Sequence, residues 1–269
     1  MTETSALRAR LYTAFRGQGH PLVVFHASNP PGRIIPGASI WTGARQWCAA
    51  LRLLSLRPGD RLALALDPSP AWLMAFVAAA WEGLTIHILP APASAEHCDE
   101  LVTIADAALA VAPFGRWAVR PDHDGLPAAG ATHAREDAAP PHALAQHPAL
   151  LARQPRVVFP DGRTLTDDDL LAAADAAAHF SPASTLLNTH PWHHPEPFLT
   201  HFFPALLAGA TILHHPLNLH ADLLDPENRP LLELAEQWAV THLSSPKADQ
   251  LAATLHLNTP AAAVLRRSA

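Results

Sequence analysis

Lysine is almost missing from this chain. Lys247 is the only lysine in 269 residues, and arginine carries nearly all of the positive charge. Chemistry that needs a Schiff-base amine or a compact ammonium on a phosphate therefore has one candidate residue. Cysteine is scarce as well: Cys48 and Cys98 lie far apart, as in a reduced protein without a disulfide framework. Charged residues make up only 16%, yet no apolar run reaches membrane-span length. The start, Met1-Thr2-Glu3-Thr4-Ser5, lacks the basic stretch and apolar core of a secretory signal. A cytoplasmic location without a membrane partner is expected. A net charge of -6 speaks against nucleic acid, because a phosphate backbone requires a basic face. The sequence has no GxGxxG, Walker, GxSxG, HExxH or CxxC pattern. No catalytic residue and no metal ligand set is assigned.

What is present is a globular composition, 49% hydrophobic, with a repeating α/β rhythm. Arg57-Pro58-Gly59-Asp60 reads as a turn and Arg61 to Leu66 as a short buried strand. Ser69 and Pro70 suit the cap and first position of a helix that is apolar nearly all round, from Ala71 to Trp81. Gly83 ends it, and Leu84 to Leu89 forms the next strand, which makes a parallel crossover unit. The rhythm returns with a strand at 185–188, a helix opened by Pro197 and stopped after Leu207 by Gly209, and a strand at 210–213. A helix over 229–238 and a strand at 240–243 follow. The expected fold is α/β, with two packed subdomains and mostly parallel sheets flanked by helices. The first subdomain is placed at 1–115, an Ala/Pro/His-rich linker at 116–154 and the second subdomain at 155–269.

Three segments, in order, carry a family resemblance. Leu56-Arg57-Pro58-Gly59-Asp60-Arg61 leads to Ser69-Pro70-Ala71-Trp72 and Glu82-Gly83. Pro160-Asp161-Gly162 leads to Leu165-Thr166 and Leu170-Leu171-Ala172-Ala173-Ala174. Pro191-Trp192-His193-His194 leads to Pro204-Ala205-Leu206-Leu207-Ala208-Gly209-Ala210-Thr211, then Val240-Thr241 and Pro246. Across roughly 40–115 and 156–255 this series resembles the N-terminal portion of the adenylate-forming (AMP-binding) synthetases: acyl- and aryl-CoA ligases, luciferases and peptide-synthetase adenylation domains. The resemblance implies two α/β subdomains, a third subdomain and a lid in full-length members, and ligase activity with ATP and magnesium. The nucleotide-contacting segments and lid lysine of the family would fall beyond Ala269, so a truncated chain is expected.

The resemblance also places a phosphate loop at Pro160, Asp161, Gly162, Arg163 and Thr164. Here an acid stands where the family has lysine, and one glycine replaces several. Phosphate binding needs close backbone N–H groups and compensating cations; Arg156 and Arg163 are the nearby cations. The acids that follow read as a helix start, Thr166 capping and Asp169 completing a capping box. The sequence thus leans against enzymatic activity. No cofactor is expected, ATP and magnesium entering only if another chain completes a split synthetase.

Histidines concentrate at His190, His193, His194, His201, His214 and His215. In the family the position matching His194 stands at the acyl or aryl pocket, so Trp192, His193, His194 and Phe198 are the ligand-pocket candidates. Their alternative is a His-rich turn after a strand, and a metal reading lacks a carboxylate partner other than Glu196. Ser244-Ser245-Pro246 reads as a strand-to-helix cap, and Cys48 beside Trp47 as core. The expected ligand is an apolar carboxylic acid or an acyl or aryl group. The expected partner is a second copy or another protein covering the truncated end.

Overall fold

Each strand–helix–strand crossover begins at a turn that sequence chemistry specifies. The structure is a computed structural model that describes residues 5–16, 22–25, 33–54, 56–91, 102–105, 117–119, 121–128, 133–134, 154–216 and 228–255. In the turn before the first crossover, the Asp60 carboxylate accepts from the Arg57 N–H at 2.8 Å, and the Asp60 N–H donates to the Arg57 carbonyl at 3.0 Å. Strand β3 (Arg61–Ala65) follows, then α3 (Pro70–Glu82) and β4 (Thr85–Ile88), which lies parallel to β3. Ser69 caps α3 by accepting from the Trp72 N–H, as its sequence position implies. Every residue of α3 from Pro70 to Ala80 is buried, which explains a helix with no polar face.

The chain divides into two compact units, Met1–Tyr12 with Ser39–Leu171, and Thr13–Ala38 with Ala172–Ala269. The first holds a seven-stranded sheet in the order β7-β6-β5-β3-β4-β8-β9. Strands β5 (Val102–Ala105), β6 (Trp117–Val119) and β8 (Val157–Val158) continue the parallel set. Strands β7 (His133–Ala134) and β9 (Thr164–Leu165) pair antiparallel at the two edges. Within the stretch read as a connection, β6 therefore belongs to this sheet, while 129–132 and 135–153 lie outside the described residues, as does Cys98. After α1 (Ala6–Arg16), helix α2 (Gly37–Leu53) packs on α3 so closely that a Cβ on Gly43 would collide with the Met74 sulfur. Trp47 is fully buried and donates its indole N–H to the Gly125 carbonyl at 2.9 Å, and Cys48 is buried beside it. Burial pushes the Cys48 thiol up to about 12, as befits a core residue.

The second unit holds a five-stranded sheet, β12-β10-β11-β1-β2. Strands β10 (Thr185–Asn188), β11 (Thr211–His214) and β12 (His242–Ser244) run parallel, and β1 (Leu22–Phe25) joins them beside β11. Strand β2 (Arg33–Pro36) closes the edge antiparallel to β1. Of these two early strands, β1 finds its parallel partner β11 almost two hundred residues downstream, while β2 joins the sheet through β1. Alternation with period two gives the sheet two faces. Val24, Leu187, Leu213 and Leu243 pack against α6 (Arg229–Gln237) and α7 (Ala248–Thr254) through Leu231, Leu234 and Leu251. The helical run 195–208 lies over the other face. It begins at Pro195–Pro197, passes through a π-turn at Phe198–Phe202 and ends in α5 (Phe203–Ala208). Both units are α/β with mixed, mostly parallel sheets flanked by helices, as expected.

Candidate functional site

Two places concentrate unusual chemistry, one in each unit. In the first, β8 and β9 form a tight hairpin whose tip is Pro160-Asp161-Gly162. The Gly162 N–H donates to the Phe159 carbonyl at 3.0 Å, and the Phe159 N–H to the Arg163 carbonyl at 2.9 Å. The Arg163 N–H donates to the Asp161 carboxylate at 2.9 Å. Proline fixes φ at the second turn position, aspartate bonds its own backbone, and Gly162 takes φ +84°, a conformation that disfavours side chains. Nothing lies within 4 Å of where a Gly162 Cβ would stand. The tip faces open space at Gly162, and the Phe159, Gly162 and Arg163 N–H groups are already bonded within the hairpin.

Arg156, one of the two nearby cations, is committed elsewhere. It is buried, and its Nε donates to Asp167 at 2.6 Å while a second nitrogen reaches the other carboxylate oxygen at 3.3 Å. Its remaining terminal nitrogen donates to the Leu84 carbonyl at 2.7 Å. Asp167 opens α4 (Asp167–Ala176), so its charge also meets the helix N-terminus. Its neighbour Asp169 forms the expected capping box: it accepts from the Thr166 N–H at 2.8 Å and donates its own N–H to the Thr166 hydroxyl at 3.2 Å. The Thr166 N–H and, second, its hydroxyl, which donates to the same carboxylate at 2.8 Å, hold the Asp169 carboxyl below the usual carboxylate range. Arg8 stands nearby, its guanidinium pKa lowered by burial and by the charge on Arg156.

The second place is the carboxyl end of the five-stranded sheet. Phe25, His214, Asn188 and Ser244 are matched in register, each the last residue of a parallel strand, on the face beneath the π-turn. Asn188, Thr189, His201, His214, His215 and Ser244 are all buried here. Open α/β sheets bind ligands outside this end of their strands. The π-turn brings His201 inward, with its Nδ1 3.0 Å from the Ser244 hydroxyl and 3.3 Å from the Thr200 hydroxyl. Single π-turns of this kind recur at functional sites. The Asn188 side chain accepts from the His190 N–H at 3.1 Å, and the Thr189 N–H continues the ladder to the Ser244 carbonyl. His214 sits against Phe25 and Trp192, with ring centroids 6.3 and 5.2 Å away, and its Nδ1 has no hydrogen-bond partner.

Burial dominates the titration of these imidazoles. His190 and His201 are pushed down to about 4, chiefly by desolvation and further by neighbouring histidines. His214 falls to about 3 from burial and His215, although contact with the Asn188 backbone opposes the shift. Burial thus favours the neutral imidazole at His190, His201 and His214 at pH 7. Among the described residues no group of three or more His, Cys, Asp or Glu side chains is disposed to hold a metal.

The pocket candidates fall into two sets. Trp192 and Phe198 are buried in an aromatic cluster: Trp192 stacks on Phe202 at 4.3 Å, and Phe198 on Phe203 at 5.7 Å. His193 is half-buried and His194 exposed, their rings 4.7 Å apart and His190 6.4 Å from His194. Asn188 and Ser244 were not among the candidates. Within Ser244-Ser245-Pro246, read from the sequence as a strand-to-helix cap, it is the Ser245 hydroxyl that accepts from the Lys247 N–H, at 3.2 Å. The sign available in the sequence is a polar residue closing each of three apolar strands; their matching depth comes from the register.

No family model and no curated protein matches the sequence. Solved structures do. IdnL1 is 18% identical with a TM-score of 0.70, over 97% of this chain and 58% of its own. MatB from Rhodopseudomonas palustris, without ligand, is 18% identical with a TM-score of 0.64, over 97% of this chain and 54% of its own. McyG A-PCP complexed with phenylalanyl-adenylate is 15% identical with a TM-score of 0.68, over 92% of this chain and 48% of its own. The fold is thus that of adenylate-forming synthetases. The chain spans about half the length of the structures it matches.

Proposed function

We propose that this chain is a catalytically degenerate relative of adenylate-forming synthetases, retained to bind an apolar carboxylic acid, acyl or aryl group or to assemble with a partner. The observation that carries the reading is the hairpin at Phe159 to Arg163. A triphosphate needs converging backbone N–H groups and cations. Here the Gly162 and Arg163 N–H groups are bonded inside the turn, Asp161 presents a carboxylate, and Arg156 is held by Asp167. These residues do not fit a nucleotide's phosphates. The only lysine, Lys247, lies in the other unit.

The carboxyl end of the second sheet is the proposed ligand site. His190, His193 and His194 border it, and the aromatic cluster around Trp192 and Phe198 supplies the apolar wall on which such ligands depend. The half-length match motivates a partner chain or a second copy as part of the same reading, and it also motivates the alternative of a split synthetase completed by another polypeptide. Pyrophosphate release, followed with magnesium ATP and a panel of carboxylic acids, tests the proposal. The isolated chain is expected to give none. Pyrophosphate or hydroxamate formed by the chain alone overturns degeneracy, and formation only on mixing with a second polypeptide establishes the split enzyme.

A further inference from the structure

Three aromatic rings meet on the outside of the first unit. Tyr12 projects from α1, Trp41 from near the start of α2 and Trp81 from near the end of α3. Trp41 is nearly perpendicular to both others, its ring centroid 4.9 Å from Trp81 and 5.6 Å from Tyr12, and Tyr12 lies 6.4 Å from Trp81. Edge-to-face pairs of this kind hold one another in place. Tyr12 is 38% exposed and both tryptophans are half-buried, so rings fixed by each other still reach solvent. Leu7, Leu11 and Phe15, the large apolar residues of α1, are buried in the core, which makes the trio a separate outer layer. Arginines flank it. Arg8 lies one turn before Tyr12 on α1, and Arg45 one turn after Trp41 on α2, where Arg52 continues the same stripe. The Arg8 guanidinium reaches the end of α3, with one nitrogen 3.0 Å from where a Gly83 Cβ would stand. Two carboxylates act on it, Glu82 and Asp167, and each already holds another arginine: Arg52 binds Glu82 at 2.7 Å and Arg156 binds Asp167 at 2.6 Å. Burial and Arg156 both work against the charge on Arg8, a cost that a bound carboxylate would offset. Arg45 is exposed.

We propose that this patch is a docking surface for an acidic segment of another protein: an aromatic or aliphatic side chain of the segment packs on the Tyr12, Trp41 and Trp81 rings, and flanking carboxylates pair with Arg8 and Arg45. Tryptophan, tyrosine and arginine are the residues that carry most of the binding energy at protein interfaces. Rings already held by their neighbours lose little freedom when a partner covers them. The charge is complementary to such a segment, since four arginines (Arg8, Arg45, Arg52 and Arg156) meet two carboxylates here, on a chain whose net charge is -6. A second copy fits badly, because a two-fold contact would set the arginines of one patch against those of the other. An anionic membrane also fits badly: such recognition draws on about four to eight basic residues, and this patch offers Arg8 and Arg45 beyond the arginines held by Glu82 and Asp167. The reading holds whether or not the chain has lost adenylation, as none of the five docking residues belongs to the hairpin or to the second sheet.

Fluorescence anisotropy tests the proposal, with the full chain titrated into a panel of short labelled peptides in which Trp, Phe or Leu stands between runs of glutamate. Control peptides carry lysine for each glutamate, or alanine for the apolar residue. The best acidic peptide is expected to bind about tenfold or more tightly than either of its controls, and to weaken as salt is raised. Arg45→Glu, at an exposed position, should weaken it by about tenfold or more, and Tyr12→Ala by a similar factor. Arg8→Gln should act in the same direction; because Arg8 is partly buried, the two exposed positions decide the case if that variant fails to fold. Ile34→Ser removes an exposed apolar residue of the other unit and should leave binding unchanged. Absence of binding across the panel, equal binding of acidic and basic peptides, or binding indifferent to both Arg45→Glu and Tyr12→Ala overturns the proposal. So does tighter binding to phosphatidylserine vesicles than to any acidic peptide, which makes the patch a membrane contact, or a dimer in light scattering that Arg45→Glu dissolves, which makes the occupant a second copy.

Discussion

Arg156 and Asp167 behave as one structural group, and their chemistry sets the cost of disturbing either. Asp167→Asn leaves a buried guanidinium facing a neutral amide, and we expect a loss of about 3–5 kcal/mol in urea unfolding. Arg156→Met combined with Asp167→Leu removes both charges and should recover most of that loss. Gly162→Ala is a milder case. No atom obstructs the new methyl, so the cost is that of the left-handed backbone alone, about 1–2 kcal/mol by the same measurement. The Pro-Asp-Gly turn, read from the sequence as the place of a phosphate loop, prescribes its own geometry locally. The ion pair was not legible in the sequence. Its partners are eleven residues apart, and only the antiparallel return of β9 brings Asp167 back to Arg156.

At the scale of elements, caps and stops read well because they are local. Ser69, Gly83, Gly209 and the Thr166–Asp169 box all act where their sequence neighbours place them. Thr166→Ala is expected to cost about 1 kcal/mol in thermal or urea unfolding through loss of the cap. Long-range pairing reads poorly. Leu22-Val23-Val24-Phe25 is a four-residue apolar run with nothing to name β11 as its partner, although register couples Leu22 to Thr211. The π-turn is equally hidden, because Phe-Leu-Thr-His-Phe suits an ordinary helix, and the inward turn of His201 follows from tertiary contact with Ser244. Helix contact is stricter still at Gly43. Gly43→Ala drives a methyl into Met74, and we expect a loss of about 1–3 kcal/mol. Replacing Met74 by alanine in the same chain should relieve the clash and make the Gly43 substitution nearly neutral, which a double-mutant cycle would show.

For the whole molecule, two sheets with different electrostatic designs share one chain. In the first unit a buried charge is balanced, whereas the second buries neutral imidazoles. Assembly belongs to this scale also. If a second copy completes the fold, the midpoint of thermal unfolding should rise with protein concentration, and light scattering should give twice the mass of the 28.8 kDa chain. A midpoint independent of concentration together with a single-chain mass would leave another protein as the partner to seek. Fold class was plain from the strand–helix rhythm. The candidate site was only half visible, because the histidines stand out in the sequence while the depth at which strands end does not.

The hairpin tip has one more use. The Gly162 N–H and the Asp161 carboxylate bond within the turn and nothing lies within 4 Å of where a Gly162 Cβ would stand, so the rest of the first sheet gains little from the identity of Asp161 and Gly162. A foreign epitope or reporter peptide spliced between them would loop outward into solvent. That makes this bend the place to tag the protein, or to graft a glycine-rich, lysine-bearing segment and ask whether a nucleotide can be won back.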